Sequence, residues 1–219
     1  MYVKLVVNKF DRQYGHWLET WAELTEPNDG ATVGAQAATT GTKFQNMSGM
    51  GGVDAVATAA RVFVPLQFWF NRNPGLALPL IALQYHEVKV SITFSSETNS
   101  DPTNTTLWAD YIYLDTDERR RFAQVSHEYL IEQVQFVSTS TGTSHDLNFN
   151  HPVKELIWTG GWTESTGTIA PLNATGNYKL VLNGHDRMAE RDLKYFTRAQ
   201  VWQHHTGAGG LNPAARWCW

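Results

Sequence analysis

The sequence predicts an all-β protein made of two antiparallel sandwiches in tandem. Three observations lead there. Apolar residues recur with a period of two in several short runs, as in EVKVSITF at 87–94. Long polar loops rich in Gly, Ser, Thr and Asn separate these runs, and helix signals are few, which is the pattern of a sandwich. Finally, LVVNKFDR at 5–12 returns as LVLNGHDR at 180–187, with Leu, Val, Asn, Asp and Arg in the same order 175 residues on. Solenoid repeats recur every 20–50 residues or so, whereas this spacing is that of a whole domain. Read as a tandem, the first copy is without its opening and the second without its end.

Taken in order, the first element is a helix. HWLETWAEL places Trp17, Trp21 and Leu24 at i, i+4 and i+7, an apolar face that Pro27 ends. RVFVPLQFWF at 61–70 reads as a strand whose Pro65 implies an edge or a bulge. In EVKVSITF, Val88, Val90, Ile92 and Phe94 share one face and Glu87, Lys89, Ser91 and Thr93 the other. LWADYIYL at 107–114 is a strand with aromatic residues on both faces, and YLIEQVQFV at 129–137 is another alternating run. Between these two lies DTDERRRF, the densest charge in the chain, read as a solvated connector laced by ion pairs that contribute little to stability. YKLVLNG at 178–184 closes on Asn183-Gly184, a strong hairpin-turn pair. RMAERDLKYF at 187–196 is expected to hold a short helical turn. The loops at 30–52, 95–106 and 159–176 are where such a scaffold varies and binds.

Composition narrows function. Apolar residues make up 42% of the 219, enough for a packed core, while charged residues are 17% and the net charge is −4, against a nucleic-acid-coating role. The single cysteine, Cys218, forms no internal disulfide, so a reducing compartment is the default. No run approaches the roughly 20 apolar residues of a membrane span, and MYVKLVVNKF is too short and mixed for a signal peptide. Nine Trp, eight Tyr and ten Phe favour strands.

The eight histidines raise the question of metal sites and catalysis. His204 and His205 are adjacent, which on a strand sends them to opposite faces, and His185 lies in a turn that approaches one of them. His127-Glu128 has no second His to complete a zinc helix, and no GxSxG, P-loop or GxGxxG is present. The expectation is therefore no enzyme: no catalytic, cofactor-binding or metal site. The Asn-x-Ser/Thr sequons at Asn46, Asn104 and Asn173 fall in the polar loops and matter only on a secretory route.

VPLQFWFNRNPGLALPLIALQYHEVKV at 64–90 resembles the major capsid proteins of the nucleocytoplasmic large DNA viruses. The resemblance continues through LWADYIYLDTDERRRFAQVSHEYLIEQVQF (107–136), LNFNHPVKELIW (147–158) and KLVLNGHDRMAERDLKYFTRAQVWQHHTG (179–207). DRQYGHWLETWAELT (11–25) fits the helical excursion of the family's first domain, and the tail LNPAARWCW does not resemble the family. The resemblance implies a double jelly roll, with both sandwiches incomplete here. Residues 1–119 would be the C-terminal part of the first, 120–126 the junction and 127–219 the N-terminal part of the second. LVVNKFDR and LVLNGHDR would then be one hairpin region in two copies.

The implied role is structural: a fragment of a capsid protein whose homotrimers form pseudo-hexagonal capsomers of an icosahedral shell. Its partners would be neighbouring capsomers and minor capsid proteins, without direct nucleic-acid contact, in a virion assembled in the host cytoplasm. A carbohydrate-binding jelly roll is the competing reading, with Trp162, Trp202 and Trp217 as stacking platforms; a third is a sandwich enzyme using His185, His204 and Asp186. A sandwich lacking strands exposes apolar faces and unpaired edges, so the chain alone is expected to aggregate or pack loosely and not to form the trimer.

Overall fold

A computed structural model describes residues 11–25, 47–48, 61–83, 85–94, 104–138, 142–160, 162–163, 168–169, 172, 175–206 and 217–218. Two compact units emerge, and neither is contiguous in sequence. The first comprises Met1–Gly15 with Leu66–Asn148; the second comprises His16–Pro65 with Phe149–Trp219. These units alternate along the chain.

In the first unit the apolar core is small. Phe68 is fully buried and Trp69 nearly so. Phe68 stacks on Phe70 with ring centroids 5.2 Å apart, and Trp69 leans on Tyr129 at 5.9 Å. The run expected to be one strand over 61–70 is in no ladder among the described residues, and its Phe68 is extended, with φ −77° and ψ 155°. There it turns into helix α2 (Trp69–Arg72) and a 3-10 turn at Pro74–Leu76. Asn73 caps that turn by accepting the Gly75 N–H at 2.9 Å, with Pro74 supplying the φ that a first helical position wants.

Segments 86–94, 107–115 and 126–138, whose period of two predicts strands, are neither helical nor in a ladder among the described residues. Alternation alone sets the backbone direction; a ladder also needs a neighbouring strand.

The charged stretch after Leu114 is a helix, α3 (Thr116–Gln124), where a plain connector was expected. The Asp115 carboxylate caps it, accepting the Glu118 N–H at 2.8 Å, and Asp117 and Glu118 in the first turn suit the positive end of the helix. Asp115-x-x-Glu118 has the spacing of a capping box, the signal that identifies this helix in the sequence. The expected ion pairing is present but loose: Arg120 lies 3.6 Å from Asp117, both well exposed.

The second unit contains α1 (Gly15–Thr25), as the apolar spacing predicts. Its most buried side chains are Leu18, Thr20, Ala22 and Leu24, while Trp17 and Trp21 are half-buried and stacked on each other at 5.4 Å. The helix is thus covered on more than the one face the tryptophans mark.

All ladders among the described residues lie in this unit. They pair antiparallel: β1 (Trp158–Thr159) with β8 (Trp217–Cys218), β2 (Trp162–Thr163) with β3 (Thr168–Ile169), β4 (Asn177–Tyr178) with β7 (Arg191–Asp192), and β5 (Val181–Leu182) with β6 (His185–Asp186). The last two ladders are one hairpin. Asn183 (φ 52°) and Gly184 (φ 79°) both adopt the left-handed conformation that a two-residue hairpin turn demands. Arg187 N–H donates to the Leu180 carbonyl at 2.8 Å to extend the pairing. Met188 to Glu190 then bulge before Arg191 regains register opposite Tyr178.

The helical turn expected over 187–196 begins only at Leu193, because β7 occupies the residues before it. Asp192 starts it by accepting the Tyr195 N–H at 3.0 Å. Tyr195–Gln200 is π-helical and runs into α4 (Val201–His204). Leu193 and Phe196 anchor the core of this unit, with Trp158, Leu172, Tyr178, Met188 and Tyr195 packed around them. Trp158 meets the Phe196 ring edge-on at 5.2 Å, a favoured aromatic geometry.

Gly184→Ala places a Cβ in the left-handed region, at a cost of roughly 1–2 kcal/mol. The expected outcome is faster hydrogen exchange at Arg187, whose bond closes the hairpin, with little change in the first unit.

Candidate interaction surface

What the first unit offers to a partner is exposed apolar chain. Trp108 is 87% exposed, Tyr113 92% and Leu130 90%. Leu107, Tyr111, Ile112 and Phe136 are each more than half exposed. Every residue of 107–113 is exposed. Patches of this kind mark surfaces that meet other protein.

The 126–138 segment is held in place by side chains. Asp11 Oδ1 accepts the Val134 N–H at 3.3 Å and the Arg12 N–H at 2.8 Å. Gln13 Nε2 donates to Asp11 Oδ2 at 3.2 Å and to the Gln67 carbonyl at 2.7 Å, while Gln13 Oε1 accepts the Gln67 N–H at 3.1 Å. Arg72 pairs with Glu132 at 3.1 Å, Tyr129 lies against Trp69, and Tyr14 against Phe136 at 4.8 Å. Asp11 and Gln13 are both buried. Burial pushes the Asp11 carboxyl above the usual carboxylate range, opposed by the hydrogen bonds from Val134, Gln13 and Arg12 and by the Arg72 charge. In the sequence, a polar DRQ directly following the apolar run is the only local trace of this brace.

The histidines and tryptophans weighed for other chemistries are dispersed. His185 is exposed on β6 and Asp186 beside it pairs with Lys179 at 3.1 Å. His204 ends α4 and His205 follows it as the C-terminal cap, so the two lie at a helix end and not on opposite faces of a strand. The His205 side chain is only 6% exposed, and its Nε2 lies 2.8 Å from Glu155 Oε1, close but off the direct N–H line. His127 uses Nε2 on the Phe122 carbonyl at 2.8 Å, at the end of α3. Among the described residues no three His, Cys, Asp or Glu side chains gather closely enough to hold an ion. Trp202 is 84% exposed on α4, Trp162 is in β2 and Trp217 in β8, three different elements in no common ladder. Asn104 is exposed, whereas Asn46 and Asn173 lie outside the described residues. No described helix is long and apolar enough to cross a membrane.

Comparison with known proteins places this surface in context. The family model described as major capsid protein N-terminus matches residues 3–115, and that described as large eukaryotic DNA virus major capsid protein matches residues 118–210. The major capsid protein of Pyramimonas orientalis virus is 46% identical over 211 residues, which cover 93% of this chain and 52% of that protein. The major capsid protein of Paramecium bursaria Chlorella virus 1 is 35% identical, covering 94% of this chain and 56% of the relative. A solved structure described as the PBCV-1 virus capsid, quasi-atomic model, superposes with a TM-score of 0.67 at 30% identity, over 99% of this chain and 62% of that one. The chain thus spans about half the length of these two relatives. This similarity is to shell proteins and lends no support to the carbohydrate-binding reading.

Two buried groups predict opposite acid responses. The Asp11 carboxyl is raised from its ordinary 3.8 by burial, so the folded first unit binds a proton more readily than the unfolded chain. Its stability should rise as pH falls through the raised value, levelling below 3.8. His16 in α1 is lowered from 6.5 by burial, so the second unit should lose stability as pH falls below 6.5. Protection factors from hydrogen exchange at Val134 and along Leu18–Leu24 across this range read both signs, and Asp11→Asn and His16→Gln should each flatten one response. The extent and strength of these matches, over both halves of the chain, show that it belongs to the family of major capsid proteins of large eukaryotic DNA viruses.

Proposed function

We propose that this chain is part of a double jelly-roll capsid protein whose trimers form pseudo-hexagonal capsomers in the outer shell of a large icosahedral double-stranded DNA virus. The observation that carries the reading is 46% identity to a viral major capsid protein across 93% of the chain. Residues 1–119 belong to the first sandwich, 120–126 to the junction and 127–219 to the second. LVVNKFDR and LVLNGHDR are the corresponding hairpins, of which residues 5–10 lie outside the described residues.

The work asked of such a protein is geometric. Three chains with two similar sandwiches each outline a near-hexagon, and hexagons tile a flat face. Stiff sandwiches, covered edges and reaching loops suffice for that; no step needs a nucleophile, a metal or a cofactor. The exposed aromatic runs at 107–114 and 129–137 suit this role, since Trp and Tyr concentrate binding energy where protein surfaces meet. In the whole protein these runs pair with strands of the same sandwich, and remaining apolar surface meets neighbouring subunits. The mildly negative charge of −4 suits a shell that does not touch the genome. Its place is the virion, assembled in the host cytoplasm beside minor capsid proteins.

Size-exclusion chromatography with light scattering tests the reading. The full reading frame around this segment should elute as a monodisperse trimer, while the 219-residue chain alone should aggregate or give weak near-ultraviolet circular dichroism despite its aromatic content. A cooperative melt and sharp aromatic signals from a trimer of the 219-residue chain would overturn the expectation that its exposed runs need further strands.

A further inference from the structure

Helix α1 lies among the residues matched by the first family model, yet residues matched by the second complete its buried face. Leu24 is fully buried against Val201 and Ile157. Trp21 meets the edge of His205 at 6.2 Å, and His205 backs onto Glu155. The Thr206 hydroxyl donates to the carbonyl of Thr25, the last residue of α1. The last four carbonyls of a helix have no partner within it, and Thr206 supplies one. Together Ile157 and Val201 form an apolar floor, the Trp21 and His205 rings pack edge to face, and a hydroxyl receives the helix end. Each feature matches something an amphipathic helix brings.

We propose that Ile157, Val201, His205 and Thr206 form a helix-docking groove of which α1 is the resident ligand, and that the groove takes the same helix from a second copy once the resident one is displaced. Recognition rests on Leu24 in the apolar floor, on Trp21 against His205, and on the free carbonyl at the helix end. Specificity is therefore for a helix with an aromatic residue three positions before its terminal leucine. Nothing in the shell role requires this coupling between the two matched regions. It means that α1 and the 193–206 helical segment gain or lose protection together, although some 170 residues separate them in sequence.

The test uses the full reading frame that carries these 219 residues, and a fluorescent peptide of residues 13–25. Leu24→Asp in the chain should displace α1, and the peptide should then bind saturably, at least tenfold more tightly than to the unmodified chain, whose own helix competes. Adding Val201→Asp, or placing Leu24→Asp in the peptide, should abolish the gain. In parallel, the milder Leu24→Ala should accelerate exchange across 193–206 at least tenfold while leaving Val134 in the first unit unchanged. Failure of the Leu24→Asp chain to bind the peptide, binding that Val201→Asp leaves intact, or unaltered 193–206 exchange in Leu24→Ala would each overturn the groove.

Discussion

A β-strand is only half of a structure, because its main chain must find a second strand for its hydrogen bonds. That constraint organises this molecule. In the second unit, strands of two residues meet it locally, and the hairpin through Asn183-Gly184 does so with the shortest possible connection. In the first unit the runs 86–94, 107–115 and 126–138 are in no ladder among the described residues, and side chains help to position the last of them. The Asp11 and Gln13 brace, the Arg72–Glu132 pair and the Trp69–Tyr129 contact are such substitutes. They differ from a ladder in kind. A ladder adds a bond with each residue, whereas these fix the segment at points and leave Trp108, Tyr113 and Leu130 in solvent.

The substitutes also carry a cost that a ladder avoids. Burying a carboxylate is unfavourable unless hydrogen bonds offset it, and at Asp11 burial outweighs the donors from Val134, Gln13 and Arg12 and the Arg72 charge. Such a group stabilises its surroundings only because removing it would leave those donors without an acceptor. The core of the second unit is of the opposite sort. Leu193 and Phe196 hold Trp158, Tyr178 and Tyr195 around them through ring edges and area, independent of protonation.

Whatever was written in consecutive residues was legible. The Asn183-Gly184 turn and the α1 periodicity follow from spacing alone, since each depends on neighbours along the chain. The α3 helix is legible through Asp115-x-x-Glu118, but three successive arginines mask it as a plain charge run, and a helix with only Phe122 partly buried has no apolar stripe to advertise it. The π-helical stretch at Tyr195–Gln200 has no sequence period of its own. It arises where β7 hands over to a helix whose Phe196 and Val201 must both be buried. The non-contiguous units and the contact of Leu24 with Val201 join residues far apart in the chain, and no local pattern announces them. Family resemblance carried the function, since among the described residues no cluster of His, Cys, Asp or Glu offers a chemistry to recognise.

The repeated octapeptide shows how far a shared string can diverge in use. Of its first copy, Asp11 and Arg12 are described; the corresponding letters in the second are Asp186 and Arg187. Asp11 is 6% exposed and accepts main-chain N–H groups from Arg12 and from Val134, more than a hundred residues away. Asp186 is exposed in a two-residue strand and pairs with Lys179 across its own hairpin. One aspartate thus acts over long range in a buried site and the other over short range in water, where an ion pair contributes little. The second copy can rely on a short range because its hairpin closes through main-chain bonds, such as that from Arg187 to Leu180. The first supports an extended segment that is in no ladder among the described residues, and there the carboxylate takes the place of a strand's carbonyl in receiving the Val134 N–H. The same side chain pairs with an exposed lysine in one copy and is a buried acceptor of main-chain N–H groups in the other.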